Sequence, residues 1–205
     1  MSTPAKSIKD HYHHGDLRAA VLKQAAEVIE AEGIEAMSLR RIARDLGVSH
    51  GAPNRHFKTK ADLLAALATD AWLKMQAATI EAAETCGSPD PRMQLHAMGC
   101  AYMRWALNNR SLFAATMHPD VSRFADDTLR EAIQNFRDVV QDVVVRAQAG
   151  GRHPGKDPLL LTLYTNSVPF GASVLLSDPL LATNMADHEL EHIIKEIIDL
   201  VVPLD

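Results

Sequence analysis

The chain has 205 residues, of which 47% are hydrophobic, a formal net charge of −5 and two cysteines. This length is sufficient to bury a sizeable core, and the cysteine count suits a reducing compartment. No apolar run approaches the roughly 20 residues of a membrane span, and the N-terminus lacks the apolar block of a signal peptide. We therefore expect a soluble cytoplasmic protein without a membrane partner.

The charge is divided between two regions. Residues 1–60 contain ten Lys or Arg and seven Asp or Glu, a net of +3, whereas the remaining residues contain eleven and nineteen, a net of −8. A basic end on an acidic protein is typical of nucleic-acid binding. We predict one domain over 1–60 and a second over 61–205.

The first predicted helix covers about 16–32, with Leu22, Ala25, Ala26 and Ile29 at helical spacing. Gly33 ends it. The histidines before this helix have the composition of a metal-binding tract, but contact with a DNA backbone or disorder explains them better than a metal site; they are His11, His13 and His14.

A second, shorter helix follows a Ser38 cap and carries an apolar stripe from Leu39 to Leu46. Gly47 ends this helix, and Ser49 caps a third helix predicted over 50–57. Residues 38–60 contain six Lys or Arg and a single Asp. Two helices around a tight turn with this charge indicate a helix-turn-helix that contacts a nucleic-acid backbone.

The stretch VLKQAAEVIEAEGIEAMSLRRIARDLGVSHGAPNRHFKTKADLLAAL resembles the N-terminal domain of the TetR family of bacterial transcriptional regulators over about 15–67. The shared motifs are Ala-Ala and Glu-x-Gly in the first helix, Ser-Leu-x-x-Ile-Ala, Gly-Val-Ser-x-Gly, and His-Phe followed by Thr-Lys. The likeness after Lys60 is general. The family resemblance as a whole implies an all-α fold of about nine helices and a non-enzymatic regulator without a cofactor. It also implies that His56 contacts a phosphate.

The recognition segment departs from the family pattern, because Asn54 stands where the family usually has Tyr. Asparagine can bond a phosphate weakly or pair with adenine in the major groove. The predicted DNA-binding residues are Ser38, Arg40, Arg41, Ser49, His50, Gly51, Asn54, Arg55, His56 and Lys60.

Six further helices are predicted after the first domain. Thr59 to Asp62 has the spacing of a capping box and opens a helix to about 86. The second of these helices ends at about 108, the third covers 111–117, and the fourth is a long helix that ends near 150. The last two cover 158–176 and 187–202, and turns are predicted at 118–120 and 150–158. The stripe predicted as buried on the long helix is Leu129, Ile133, Phe136, Val140 and Val143.

The resemblance implies a small-molecule effector bound within the second domain. The candidate pocket residues are large apolar or aromatic side chains, although such residues at helical spacing are more often plain core. They are Met75, Met98, Tyr102, Trp105, Phe113, Met117, Phe136 and Tyr164. Pro169 and Gly171 are predicted either to kink the penultimate helix beside this pocket or to fit it to a dimer.

The last helix contains His188-Glu189-Leu190-Glu191-His192, which satisfies the H-E-x-x-H zinc signature. Helical periodicity places both histidines opposite the apolar face, so we predict that they face solvent and that the chain has neither a metal site nor catalytic residues. A helical zinc-dependent hydrolase using these histidines is the less favoured alternative.

The apolar face of that helix needs a partner. The resemblance implies that the last two helices form half of a dimeric four-helix bundle, and packing within the chain is the other explanation. The predicted interface residues are Leu190, Ile193, Ile194, Ile197, Ile198 and Val201. We thus expect a homodimeric repressor that binds a palindromic double-stranded DNA operator and is released by its effector. A sequence-independent DNA binder is the remaining alternative.

Overall fold

The computed structural model describes residues 14–178 and 186–204. Within them the chain forms nine α-helices and two 3₁₀ turns and no strand, which confirms the predicted all-α fold. It separates into two compact units, Met1–Leu63 and Leu64–Asp205, where the prediction had a boundary after residue 60. The helices are α1 (His14–Glu32), α2 (Leu39–Asp45), α3 (Lys60–Thr85), α4 (Pro91–Asn108), α5 (Arg110–Thr116), α6 (Pro119–Phe124), α7 (Asp127–Ala149), α8 (Pro158–Ser177) and α9 (Asp187–Val201).

Most helices begin at a side-chain cap that the sequence makes visible. The hydroxyl of Ser38 accepts from the backbone N–H of Arg41, as predicted for α2. The predicted capping box of α3 is confirmed, because the Asp62 N–H donates to Thr59 Oγ1 over 3.1 Å and the Thr59 N–H donates to Asp62 Oδ2 over 2.9 Å. Asp90 and Asp157 cap α4 and α8, each followed by a proline that has no N–H to leave unpaired.

The core of the first unit uses a different face of α1 from the one predicted. Val21, Ala25, Val28 and Ile29 are buried, whereas Leu22 and Ala26 are only half-buried. The predicted stripe was therefore rotated by about one residue. These residues share the core with Ile42 and Ala43 of α2, which are fully buried, and with Met37 and Phe57.

Turns with positive φ close the first two helices. Gly33 follows α1 with φ +85° and Gly47 follows α2 with φ +67°, as their positions predicted. An L side chain rarely adopts this conformation, so glycine lets each helix stop without a steric penalty.

The predicted recognition helix over 50–57 was wrong, because only the 3₁₀ turn Pro53–Arg55 forms there. Pro53 has no N–H with which to bond the carbonyl of Ser49, and that carbonyl instead accepts from Ala52 over 2.9 Å. Gly51 adds a backbone that is costly to order in a helix. The segment therefore forms a short 3₁₀ turn instead of a longer α-helix.

In the second unit, α4 lies against α7, α8 and α9. One side of α4 places Leu95 and Met98 in a cluster with buried residues of α7, α8 and α9. Its other side places Cys100, Met103 and Leu107 against Ile194 and Ile198 of α9. Gly99 permits the close approach of α4 and α9, because a Cβ atom there would lie 2.8 Å from Ile198 Cδ1.

Two further elements differ from their predictions. The turn predicted at 118–120 opens α6, because the ring of His118 accepts from the Asp120 N–H and Pro119 occupies the first helical position. The α7 stripe is buried as predicted except at Ile133, which is half-buried.

Helix α8 corrects the expectation that no apolar segment reaches membrane-spanning length. Its 20 residues contain no charged side chain, and its most apolar stretch has a mean hydropathy of 1.4 and is only 28% buried. Among the described residues it is the one helix with the length and composition to cross a membrane. It runs without a break through Pro169 and leaves an apolar face exposed.

Candidate nucleic-acid interface and ligand cavity

A shallow depression gathers polar and basic side chains on the first unit. It is lined by α2, the 3₁₀ turn and the start of α3, and we call it the basic depression. Five of the predicted DNA-binding residues meet there, namely Ser38, Arg40, His50, Asn54 and Lys60. The lining also includes Leu39, Lys58 and Thr59, which the prediction did not name. Lys58 is the main omission, and its signal was its position inside the basic run.

Most cations of the basic depression have no acidic partner. Arg40 and Lys58 are exposed and form no ion pair with any described residue. The Nζ of Lys60 lies 3.5 Å from Glu35, whose side chain is 91% exposed. Uncompensated cations on one surface attract a polyanion, and exposed side chains such as His50 and Asn54 can donate to it.

Arg41, which was predicted as a DNA contact, is held by two acidic side chains within the unit. Its guanidinium grips both carboxylate oxygens of Glu32 and also bonds Asp45, and its side chain is only 25% exposed. The bond from Arg41 lowers the pKa of the Glu32 carboxyl. Arg41 therefore joins α2 to α1, and its charge is already neutralised within the unit.

The other predicted DNA contacts lie outside the basic depression. Ser49, Gly51 and Arg55 are exposed, and His56 is half-buried beside Phe57. Of the N-terminal histidines, His11 and His13 lie outside the described residues. The ring of Phe57 is covered by the guanidinium of Arg18, 5.5 Å from its centroid.

The second unit contains a cavity of about 310 Å³ whose walls come from α3, α4, α7 and α8. Aromatic and aliphatic side chains form most of the wall. The lining residues are Trp72, Thr79, Leu95, Met98, Gly99, Tyr102, Ile133, Phe136, Arg137, Val140, Leu163, Thr165, Asn166, Ser167, Pro169 and Phe170. A cavity of this size with a few polar groups in an apolar wall is typical of small-molecule sites.

Three of the eight predicted pocket residues line this cavity, namely Met98, Tyr102 and Phe136. The other five lie elsewhere: Met75 and Phe113 are buried, Trp105 is half-buried, and Met117 and Tyr164 are 40% and 44% exposed. Phe113 supports the wall from behind, because its ring packs edge-on against Tyr102 and Phe170. The prediction missed Trp72 and Phe170, which only the tertiary arrangement brings to the same cavity.

Polar groups interrupt the apolar wall at a few points. The hydroxyl of Thr165 is buried and has no hydrogen-bond partner among the described residues. Pro169 has no N–H to offer the carbonyl of Thr165, so that carbonyl also lacks its helical donor. Burial raises the pKa of Tyr102, which keeps its phenol neutral.

The histidines of the H-E-x-x-H motif, His188 and His192, are exposed, as helical periodicity predicted. The side chain of His192 is 72% exposed and lies 3.9 Å from Glu196. Among the described residues, no three His, Cys, Asp or Glu side chains meet to hold a metal ion.

A Cys-His-Asp series joins α4 to α9. His96 Nε2 lies 2.7 Å from Asp199 Oδ1, and Cys100 Sγ lies 3.8 Å from His96 Nδ1. Burial raises the pKa of the Cys100 thiol, so the sulfur is a poor nucleophile. We assign these residues to packing between the two helices, together with the Arg104–Glu191 pair nearby.

The predicted dimer face of α9 is partly used inside the chain. Ile194, Ile198 and Val201 are 1–3% exposed, so these three cannot contact a partner and their assignment to the interface is corrected. Leu190 and Ile197 pack at the edge of the same cluster, and Ile193 is half-buried. The larger exposed apolar surface is instead on α8, with Leu200 of α9 at 82% exposure; the α8 residues are Leu159, Leu160, Leu163, Tyr164, Phe170 and Leu175.

An all-helical protein with a basic helix-turn-helix unit and a second unit around an apolar cavity belongs to the class of helical DNA-binding regulators. Two family models match the chain: bacterial regulatory proteins, tetR family, over residues 21–67, and the tetracyclin repressor-like C-terminal domain over residues 95–201. The chain therefore belongs to the TetR family, whose members are DNA-binding transcriptional regulators and not enzymes.

Known proteins share the fold of this chain or part of its sequence. A protein of unknown function from Rhodococcus sp. RHA1 is 29% identical, with a TM-score of 0.78 over 94% of this chain and 97% of that one. AibR, solved with isovaleryl coenzyme A and operator DNA, has the same fold, with 15% identity and a TM-score of 0.70 over 91% of this chain and 98% of that one. An HTH-type transcriptional regulator of Staphylococcus aureus is 41% identical over 46 residues, which span 22% of this chain and 25% of that protein.

Proposed function

We propose that this protein is a homodimeric transcriptional repressor of the cytoplasm that binds a palindromic operator and releases it when a small molecule occupies the cavity of the second unit. The observation that carries the proposal is the basic depression, where Arg40 and Lys58 are exposed without acidic partners. AibR is a protein of this fold whose structure holds both an acyl coenzyme A and operator DNA.

Dimerisation is supported by the apolar surface of α8. Leu160, Leu163 and Phe170 fall at i, i+3 and i+10, on one side of the helix, and each is 43–58% exposed. Ile193, Ile197 and Leu200 give α9 an adjacent apolar edge at i, i+4 and i+7. Two such surfaces would bury each other in a bundle of four helices, and this explains the apolar composition of α8 without a membrane.

Release of DNA would follow from a population shift. A ligand that binds the DNA-incompetent state more tightly by several kcal/mol depopulates the competent one. Leu163 and Phe170 belong both to the cavity wall and to the exposed α8 surface, so a bound ligand touches the helix proposed to hold the dimer.

The test is selection of bound duplexes from a random DNA pool at physiological salt, with the stoichiometry measured on the selected duplex. A palindromic consensus bound by two chains, or a multiple of two, supports the proposal. Binding without any enriched sequence and with a steep salt dependence would indicate the sequence-independent binder instead.

The dimer is tested separately by Leu160→Glu, because Leu160 is exposed and lies outside the cavity wall. We expect sedimentation to show a monomer. Operator affinity should fall by at least tenfold, since a single first unit contacts only half of the palindromic site. Leu73→Glu is the matched control, an exposed leucine of α3 that should leave the dimer intact. A Leu160→Glu protein that remains dimeric would contradict the α8 interface.

A further inference from the structure

We infer that the cavity of the second unit takes a small amphipathic monocarboxylate, held by its apolar body among the aromatic rings and by its charge at Arg137. This inference rests on the proposed function, because it names the chemical class of the effector for the same cavity.

The charge of the ligand follows from Arg137. It is the one charged residue in the cavity lining described by the structure, and no acidic side chain shares the wall. Its guanidinium carries a positive charge and forms no ion pair with any described residue. Arg137 is exposed as well as lining the cavity, so it can pair with the carboxylate of a ligand whose apolar body lies inside.

The other arginines of α7 show that this is a local feature. Arg130 pairs with Asp127 over 3.2 Å, and Arg146 pairs with Asp142 over 2.9 Å. Arg137 has Ile133, Gln134, Val140 and Gln141 at the positions three and four residues away, so the helix gives it no acid. Of the three arginines, the unpaired one is the one that lines the cavity.

The apolar body follows from the rest of the wall. Trp72 and Phe136 pack edge-on with centroids 6.2 Å apart, and Phe170 closes the α8 side. The buried Thr165 hydroxyl lacks a partner among the described residues and can donate to an oxygen of the ligand.

The size of the ligand follows from the volume. At roughly 30 Å³ for each water-sized group, the cavity of about 310 Å³ holds about ten non-hydrogen atoms. Phenylacetate and octanoate each have this size, one with an aromatic body and one with an aliphatic body. Their amides have the same size and shape without the charge.

The experiment measures direct binding and does not involve DNA. Trp105→Phe leaves Trp72, which lines the cavity, as the sole tryptophan, so that its fluorescence reports occupancy. Phenylacetate, octanoate and their two amides are titrated into this protein at pH 7. We expect at least one acid to change the fluorescence and to bind about tenfold more tightly than its amide, the size of a charge-assisted hydrogen bond.

Variants assign that difference to Arg137. Arg137→Gln should weaken the acid about tenfold, to the level of the amide, and leave the amide unchanged. Arg130→Gln is the matched control on the same helix and should change neither. Equal affinity for acid and amide, an Arg137→Gln protein that binds the acid within twofold of the parent, or no binding of either acid up to about 10 mM would each overturn the inference.

The two proposals fail in different ways. If the acids bind but leave operator binding unchanged, the ligand class holds and release by an effector fails. If the acids do not bind while a palindromic operator is selected, the regulator holds and the ligand class fails.

Discussion

The two units carry their candidate sites in opposite ways. In the first unit the basic depression consists of exposed side chains from one stretch, residues 38–60. In the second, the cavity is enclosed by four helices, and its lining runs from Trp72 to Phe170. A surface site can be built from one local motif, whereas a cavity needs walls that only the packing of distant helices supplies.

The largest expected effect compares the same substitution in both units. Phe57 is 3% exposed in the packed core of the first unit, and Phe57→Ala should cost about 3–5 kcal/mol of unfolding free energy. Phe136 already faces an open cavity on one side, so Phe136→Ala should cost less, about 2 kcal/mol.

Amide hydrogen exchange, measured separately for the residues of each unit, gives the loss of unfolding free energy in both variants. Equal losses would contradict the difference between a filled core and a cavity wall. Leu73→Ala, at an exposed position, serves as the control and should change exchange in neither unit.

The next effect concerns Asn54, which is exposed in the basic depression. If Asn54 pairs with a base, Asn54→Ala should cost about 1–3 kcal/mol at one operator position and relax preference there. Binding to single-base operator variants measures this. The same loss on every variant would instead assign Asn54 to a phosphate.

A smaller effect separates the unpaired arginines of the two units. Arg40→Ala should weaken DNA binding by about threefold to tenfold for all sequences and reduce the salt slope by about one. Arg137→Ala should leave both quantities unchanged, because Arg137 lines the cavity of the second unit. Salt-dependent titration of both variants measures this, and an equal loss would place Arg137 at the DNA.

The smallest effect concerns acid stability and the Arg41–Glu32 pair. The pKa of Glu32 is lowered from its ordinary value of 4.5 in the folded state, chiefly by the hydrogen bond from Arg41. The folded protein thus releases this proton more readily, so the pair stabilises it fully above about pH 4.5 and progressively less as pH falls through the lowered value. Arg41→Ala should reduce the melting temperature at pH 7. The melting temperature of this variant should then fall less between pH 7 and pH 3 than that of the parent protein, because the Arg41–Glu32 pair is already absent.

Melting temperatures between pH 3 and 7 test this prediction. Arg40→Ala is the control, because its guanidinium has no carboxylate partner among the described residues. An Arg41→Ala protein that keeps the melting temperature of the parent but loses operator affinity would assign Arg41 to the DNA contact.

The sequence by itself determined the helical class, the caps at Ser38 and Thr59 and the glycine stops at Gly33 and Gly47. These features depend on residues within four positions of each other, so local hydrogen bonding and backbone preference settle them. The same local chemistry at Pro53 argues against a helix that starts as early as residue 50, because Pro53 cannot donate to the carbonyl of Ser49.

Only the tertiary structure decided which helical faces are buried and by what. Ile194 and Ile198 looked like a dimer face because a helix periodicity shows that a face is apolar but does not identify its partner. The fold supplied that partner from α4 and left the apolar surface of α8 exposed. Arg41 and Arg137 are both helical arginines, and they differ because carboxylates from α1 and α2 reach the first, whereas no described carboxylate pairs with the second.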